Sequence, residues 1–255
     1  MKRRYKDELT VDVNEKGVLD LDTVKGCSLG IKDNPGGCWG VCYAKKVADF
    51  RGLNFAVSVQ RRIKGLTHAR QLAKVILSYP FEFVRIGTMG DPSHAWLHTL
   101  TICKWLRGCH KIPVIVTKHW VVAPDSILEG FGKLGVIFNT SISALDTDEH
   151  LKYRLEQYER YKKYGKSILR IVSCDFNREN EEGKRRAEIQ DNLFKYDKAL
   201  DNPLRCPKEF DWVKRGVIRV SKEKDLNSEV YMSKWNKSTH TGDCENCNER
   251  CGVNM

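Results

Sequence analysis

Short apolar runs alternate with amphipathic segments along this chain, and that rhythm limits the fold more than any other feature. FEFVRIGT (81–88), IPVIVT (112–117), GVIFNTSIS (135–143) and SILRIVS (167–173) have the length of strands and end in polar or turn residues. The segments between them carry helical spacing. Val59, Ile63, Leu66, Ala69, Ala73 and Ile76 predict an amphipathic helix within 55–76, ended by Tyr79-Pro80. Trp96, Leu100, Cys103 and Leu106 predict a second helix that stops at Gly108. Pro124-Asp125-Ser126 starts a short third. Asp146-Thr147-Asp148-Glu149 supplies caps and N-terminal negative charge for a fourth, which buries Leu151, Leu155 and Tyr158 and ends at Gly165. The polar stretch 180–196 reads as another helix, and GVIRVS (216–221) as a last strand.

Strands alternating with helices through short connections imply a parallel sheet. The strands are apolar without clean alternation, as expected when both sheet faces are covered. A complete eight-unit barrel takes about 250 residues. Five or six units fit between residues 19 and 221. The expected architecture is therefore α/β: a partial (β/α)6-type parallel barrel over residues 1–221, followed by a loop-rich, cysteine-containing extension over 222–255. In such folds the loops at the carboxyl ends of the strands carry the chemistry. That rule gathers the cysteines after the first strand with residues 88–91, 117–119, 141–143 and 173–175.

No apolar run reaches the length of a membrane span. The charged N-terminus, MKRRYKDELTVDVNEKG, lacks the apolar stretch of a signal peptide, so a cytoplasmic location is expected. In a reducing compartment clustered cysteines are metal ligands more often than disulfides. Of ten cysteines, three lie in 27–42 and three in 244–251. The formal charge of +11 favours phosphate-bearing partners, a nucleic acid or nucleotide among them, although solubility alone accounts for it equally well.

The first group sits in CSLGIKDNPGGCWGVCY (27–43) and stops at three: Cys27, Cys38 and Cys42. Zinc and ordinary iron–sulfur sites take four protein ligands. A [4Fe–4S] cube on three thiolates keeps one iron open to a chelating amine and carboxylate, and the methionine end of S-adenosylmethionine presents both. Here the chain resembles the radical S-adenosylmethionine (radical SAM) superfamily, over the cysteine loop and the strand–helix alternation to about residue 175. The usual family spacing is C-x3-C-x2-C. This chain has Cys27-x10-Cys38-x3-Cys42 followed by Tyr43-Ala44. It is more similar to small phage-type members, distantly like spore photoproduct lyase.

The resemblance implies a [4Fe–4S] cluster on the three cysteines, an external electron donor, and cleavage of S-adenosylmethionine to a 5′-deoxyadenosyl radical. The radical would act on a nucleic-acid, nucleotide or peptide substrate. Gly90 and Asp91, in TMGDP, stand where the family receives the methionine amine; as bare sequence they are also a turn. Ser141 and Ser143 match polar positions that touch ribose or carboxylate. Arg154, in LKYRLEQY, is similar to a recurrent helix arginine, and equally reads as a solvated helix charge. Arg170 interrupts an apolar strand, so it needs a carboxylate partner from the protein or the cofactor. Trp39 or Tyr43 stacks near adenine or packs beneath the cluster. Lys118 and His119 face substrate or solvent. Cys174 donates a hydrogen atom, contacts substrate, or is a structural thiol; Cys103 and Cys109 read as buried or helix-end thiols.

The second group, HTGDCENCNERC, spaces Cys244-x2-Cys247-x3-Cys251 as metal ligands. Cys206 or His240 completes a closed site, either an auxiliary [4Fe–4S] cluster or a structural zinc. Two other classes remain open: a non-catalytic basic zinc or iron–sulfur protein that binds nucleic acid, and an electron-transfer protein. The first should interleave aromatic and basic residues near its metal loops.

Overall fold

The computed structural model describes residues 2–14, 17–30, 41–204, 210–219, 247 and 249–255. The strands are β1 (Asp12–Val13), β2 (Leu19–Asp20), β3 (Val24–Lys25), β4 (Val59–Gln60), β5 (Phe83–Ile86), β6 (Ile112–Thr117), β7 (Ile137–Ile142), β8 (Ser167–Ile171) and β9 (Ala199–Asp201). The helices are α1 (Tyr43–Phe50), α2 (Leu66–Ser78), α3 (Trp96–Gly108), α4 (Asp125–Lys133), α5 (Asp148–Lys162), α6 (Glu181–Tyr196) and α7 (Asp211–Lys214).

Seven strands form one sheet in the order β1-β2-β5-β6-β7-β8-β9. Only β1 runs antiparallel to its neighbour; every other pairing in this sheet is parallel. The expected α/β class and parallel sheet are present, and among the described residues the sheet does not close into a barrel. β3 and β4 make a separate antiparallel ribbon, pairing Val24 with Gln60 and Lys25 with Val59.

Both sheet faces are covered, which is why the strands read as apolar throughout. On one face Val84, Ile86, Ile115 and Phe138 pack with Leu72, Ile76, Leu100, Leu106, Phe131 and Tyr161 from α2 to α5. Phe138 anchors this layer: its ring stacks on Tyr161 at 3.9 Å and on Trp96 at 5.6 Å between centroids. The opposite face carries Phe83, Val114, Ile137, Ile168 and Leu200, and Cys251 covers them with Val253 and Met255 alongside. Thus the last seven residues lie on the sheet. Asn139 donates to the Cys251 carbonyl at 3.1 Å, Lys166 to that of Val253 at 3.0 Å, and Arg250 pairs with Glu82.

Capping follows the sequence closely. Thr147 accepts from the His150 amide, with Asp148 and Glu149 in the first turn of α5. Asn180 caps α6 in the same way. Elsewhere the expectations need correction. The helix expected within 55–76 starts at Leu66, because Val59 and Gln60 pair with β3 and Gly65 sits at φ +120°. Among the described residues the last strand of the sheet is β9; of the strand expected at 216–221, residues 216–219 contribute a single bridge, Phe176 to Ile218, and residues 220–221 lie outside the described set. No helix among the described residues is long and apolar enough to cross a membrane.

Candidate functional site

Two of the three N-terminal cysteines belong to one apolar cluster beside the loop that follows β5. Cys27 follows β3 and Gly26, whose amide bonds the Met89 carbonyl and whose backbone bridges Gly90. The Cys27 amide donates to the Phe55 carbonyl at 2.8 Å. Cys42 stands at the N-cap of α1. Cys27, Ala44, Ala48 and Phe55 form a buried cluster against which Tyr5, Cys42, Leu53, Met89 and Trp120 pack. Cys38 and Trp39 lie outside the described residues, as do Cys206, His240 and Cys244. Among the described residues no group of three His, Cys, Asp or Glu side chains is arranged to hold a metal ion.

His94 approaches this cluster with its Nε2 3.6 Å from the Cys27 sulfur. It lies in the 3₁₀ turn Pro92–Ala95, which Asp91 caps. Burial lowers the His94 pKa, with the Asp91 carboxylate acting the other way.

Two buried carboxylates shape the loop after β5. Asp22 accepts the amides of Gly87, Thr88 and Met89, at 3.2, 2.7 and 3.1 Å. Burial and then Asp20 push its pKa up, against Lys25 and those amide donors. Asp91 accepts from the Ser93 amide and the Thr117 hydroxyl through one oxygen and from the Lys118 amide through the other. It therefore ties the β5 loop to the end of β6. Gly90 permits the close approach on its other side: a Cβ there would lie 2.4 Å from the Val24 carbonyl oxygen and 2.8 Å from that of Gly26.

The loops after β6 and β7 join through Asp146. Its carboxylate pairs with Arg154, with Lys118 at 3.4 Å, and with the Ser143 amide at 2.9 Å. Burial opposes its ionisation, but the Lys118 and Arg154 charges outweigh that and hold its pKa at about 2. Arg154 is buried rather than solvated. Its guanidinium lies 5.1 Å from the centre of the Trp120 ring, which meets His150 edge-on. Trp120 in turn borders Gly30 near the Cys27 sulfur. His119 is an inward-facing residue at φ +53°: it contacts the Thr140 hydroxyl at 3.0 Å and packs on Trp96 and Phe138. Burial pushes its pKa down to about 4.

The remaining candidates are dispersed. Tyr43 is exposed on α1. Ser141 is buried in β7, opposite Arg170 of β8, and Arg170 bonds the Asn202 side-chain oxygen at 3.0 Å. Ser143 donates to the Val172 carbonyl and accepts the Leu145 amide, organising its own turn. Cys174 is buried with Val41, Ala144, Leu145 and Phe176, and Gln190 clamps its backbone through both amide atoms. Cys103 and Cys109 belong to the main core. At the tail, Cys247 approaches Glu249 at 3.5 Å, while Cys251 is buried at φ +56° against Ile168 and Leu200.

Sequence reasoning overlooked Asp22, His94 and Asp146 as members of this region. Asp22 follows β2 and so obeys the strand-end rule. His94 had a signal too, three residues past Asp91 in a Pro-started turn. Comparison with family models, with curated proteins and with solved structures finds no match to this chain.

Proposed function

We propose that this chain is a radical S-adenosylmethionine enzyme on a partial parallel barrel, acting in the cytoplasm with an external electron donor. In this reading Cys27, Cys38 and Cys42 hold a [4Fe–4S] cluster, and the substrate is a nucleic acid, nucleotide or peptide. The observation that carries it is that Cys42 packs against the buried cluster that holds Cys27, and that Gly26 bridges this segment to Gly90 in the loop after β5 of the parallel sheet. From β5 to β9 the strands follow each other in chain order, without the reversal of a doubly wound sheet, which supports the partial-barrel form.

The donor set suits the group. Thiolates favour iron–sulfur clusters. Buried hydroxyl oxygens of Tyr5, Thr88 and Ser93 have no protein hydrogen-bond partner among the described residues, and Tyr5 belongs to the cysteine cluster itself. When bound, the cluster and S-adenosylmethionine supply the one-electron cleavage that begins radical chemistry. The chain's own residues orient and shield. Asp22 and Asp91 fix the backbone of 87–93, so that Gly90 offers a rigid main chain to a bound ligand. Lys118 and Arg154 present positive charge that Asp146 holds in place. Arg170 and Ser141, paired across β7 and β8, supply polar groups on the sheet. Cys206, Cys244, Cys247 and Cys251 form the second site, as [4Fe–4S] or zinc.

One contact favours a second reading, a non-catalytic zinc or iron–sulfur protein that binds nucleic acid. The imidazole of His94 beside the Cys27 sulfur is a donor pair that zinc takes readily. Anaerobic reconstitution with iron and sulfide, followed by S-adenosylmethionine and dithionite, separates the two. The enzyme reading expects 5′-deoxyadenosine from the wild type and none from Cys38→Ala. No product from fully iron-loaded protein would overturn it.

A further inference from the structure

Beside Cys42 the structure assembles a surface that the fold does not need. On α1, Phe50 is 92% exposed and Tyr43 56% exposed. Seven residues apart, they lie two turns from each other on the same helix face. A single exposed aromatic is unremarkable. This pair is different because cations from two distant parts of the sequence come together at the Phe50 end of its helix. The N-terminal segment runs beside the end of α1: the Arg3 amide donates to Gly52, Asn54 donates back to Arg3, and the Arg3 guanidinium reaches the Arg51 carbonyl. Residues 2–8 and 43–54 together hold seven Lys or Arg against three Asp or Glu. One of those acids, Asp49, is already spanned by Lys2 and Lys45. Arg3, Arg4, Lys46 and Arg51 are exposed. The buried side of the same helix, Ala44 and Ala48, packs into the cysteine cluster.

We propose that α1 and the N-terminal segment form a docking surface for single-stranded nucleic acid, with Phe50 and Tyr43 stacking on bases and the surrounding arginines and lysines holding phosphates. Aromatic faces interleaved with cations suit a single strand, because its bases are free to stack on side chains while its backbone supplies the negative charge. A duplex keeps its bases stacked on each other and would use only the cations. The surface starts one residue beyond Cys42, so a strand bound there is delivered to the candidate site. That delivery rests on the enzyme reading above; the binding does not.

Fluorescence anisotropy of the full-length protein with labelled single-stranded DNA and RNA of mixed sequence tests this, without S-adenosylmethionine and over a range of salt. Affinity falls with salt, and Phe50→Ala, which changes no charge, weakens binding about tenfold. Phe50→Trp keeps it. Arg4→Ala combined with Arg51→Ala flattens the salt slope by roughly one unit, whereas Lys152→Ala with Lys163→Ala, on the α5 side, leaves affinity unchanged. The proposal is overturned if the oligonucleotides do not bind, if Phe50→Ala binds as wild type, or if both double variants weaken binding equally. Tighter binding to phosphatidylserine vesicles than to oligonucleotides also overturns it, as would preference for duplex. Because Phe50 is exposed, replacing it should change stability little, which a thermal melt of each variant checks. Failure to form 5′-deoxyadenosine leaves this result standing, and failure to bind leaves the enzyme reading standing.

Discussion

Two buried residues at the sheet end give the protein a defined acid response. His119 titrates near 6.5 when unfolded, and burial holds it down to about 4 when folded. Below pH 6.5 the unfolded chain therefore binds the extra proton, and stability falls as pH drops from about 6.5 to about 4. Asp146 has the same sign in a lower window. Its folded pKa of about 2 lies below the unfolded value, so its contribution is present above about pH 4 and is lost as pH falls toward 2. That contribution is about 2 kcal/mol. Urea unfolding across pH should show both phases, and His119→Asn should shrink the first, leaving the part that His94 and His98, whose pKa values burial also lowers, contribute, while sparing the second. His94 offers a separate test. With cluster ligation by three thiolates, His94→Ala leaves iron per chain unchanged after reconstitution; loss of the metal would make His94 a ligand and favour the zinc reading. Neither role was legible in the sequence. A His or Asp at a strand end looks the same whether it faces substrate or is locked inward, and Lys118-His119 was open between substrate and solvent for that reason.

At the scale of elements, local pattern sufficed where the chain's own residues decide the structure. Thr147 and Asn180 cap α5 and α6 as their side chains dictate, and β5 to β8 fall within the apolar runs. It failed where partners far along the chain decide. Val59 and Ile63 have helical spacing relative to Leu66, yet pairing with Val24 and Lys25 draws residues 59–60 into a ribbon. β9 is three residues long and gains its identity only by lying beside β8. Gly90 shows how tightly these elements are joined. Gly90→Ala drives a methyl into the Val24 and Gly26 carbonyls, which are backbone and cannot swing aside. Overpacking of this kind costs about 1–3 kcal/mol, readable as a lowered denaturation midpoint. Gly108→Ala, at the end of α3 with open space around the new methyl, should not lower it comparably.

For the whole molecule, the parallel sheet was legible because strand–helix alternation has few other solutions, and its carboxyl end was legible as the place where loops converge. The connections among those loops were not, since they run through single side chains: Asp22 to the β5 loop, Asp91 to β6, Asp146 to Lys118 and Arg154. Of the expected loop-rich extension, residues 249–255 lie against the sheet face opposite the helices, which Cys251, Val253 and Met255 help to cover. All of these features frame one proposed centre, an iron that three thiols leave open to a chelating cofactor. Electron paramagnetic resonance of the reconstituted, dithionite-reduced protein, recorded before and after S-adenosylmethionine is added, addresses that centre directly. The account predicts a [4Fe–4S]⁺ signal whose g-values shift on addition, with the shift abolished by Cys38→Ala. A reduced cluster whose spectrum ignores the cofactor, or three N-terminal cysteines that retain zinc and take up no iron, would contradict it.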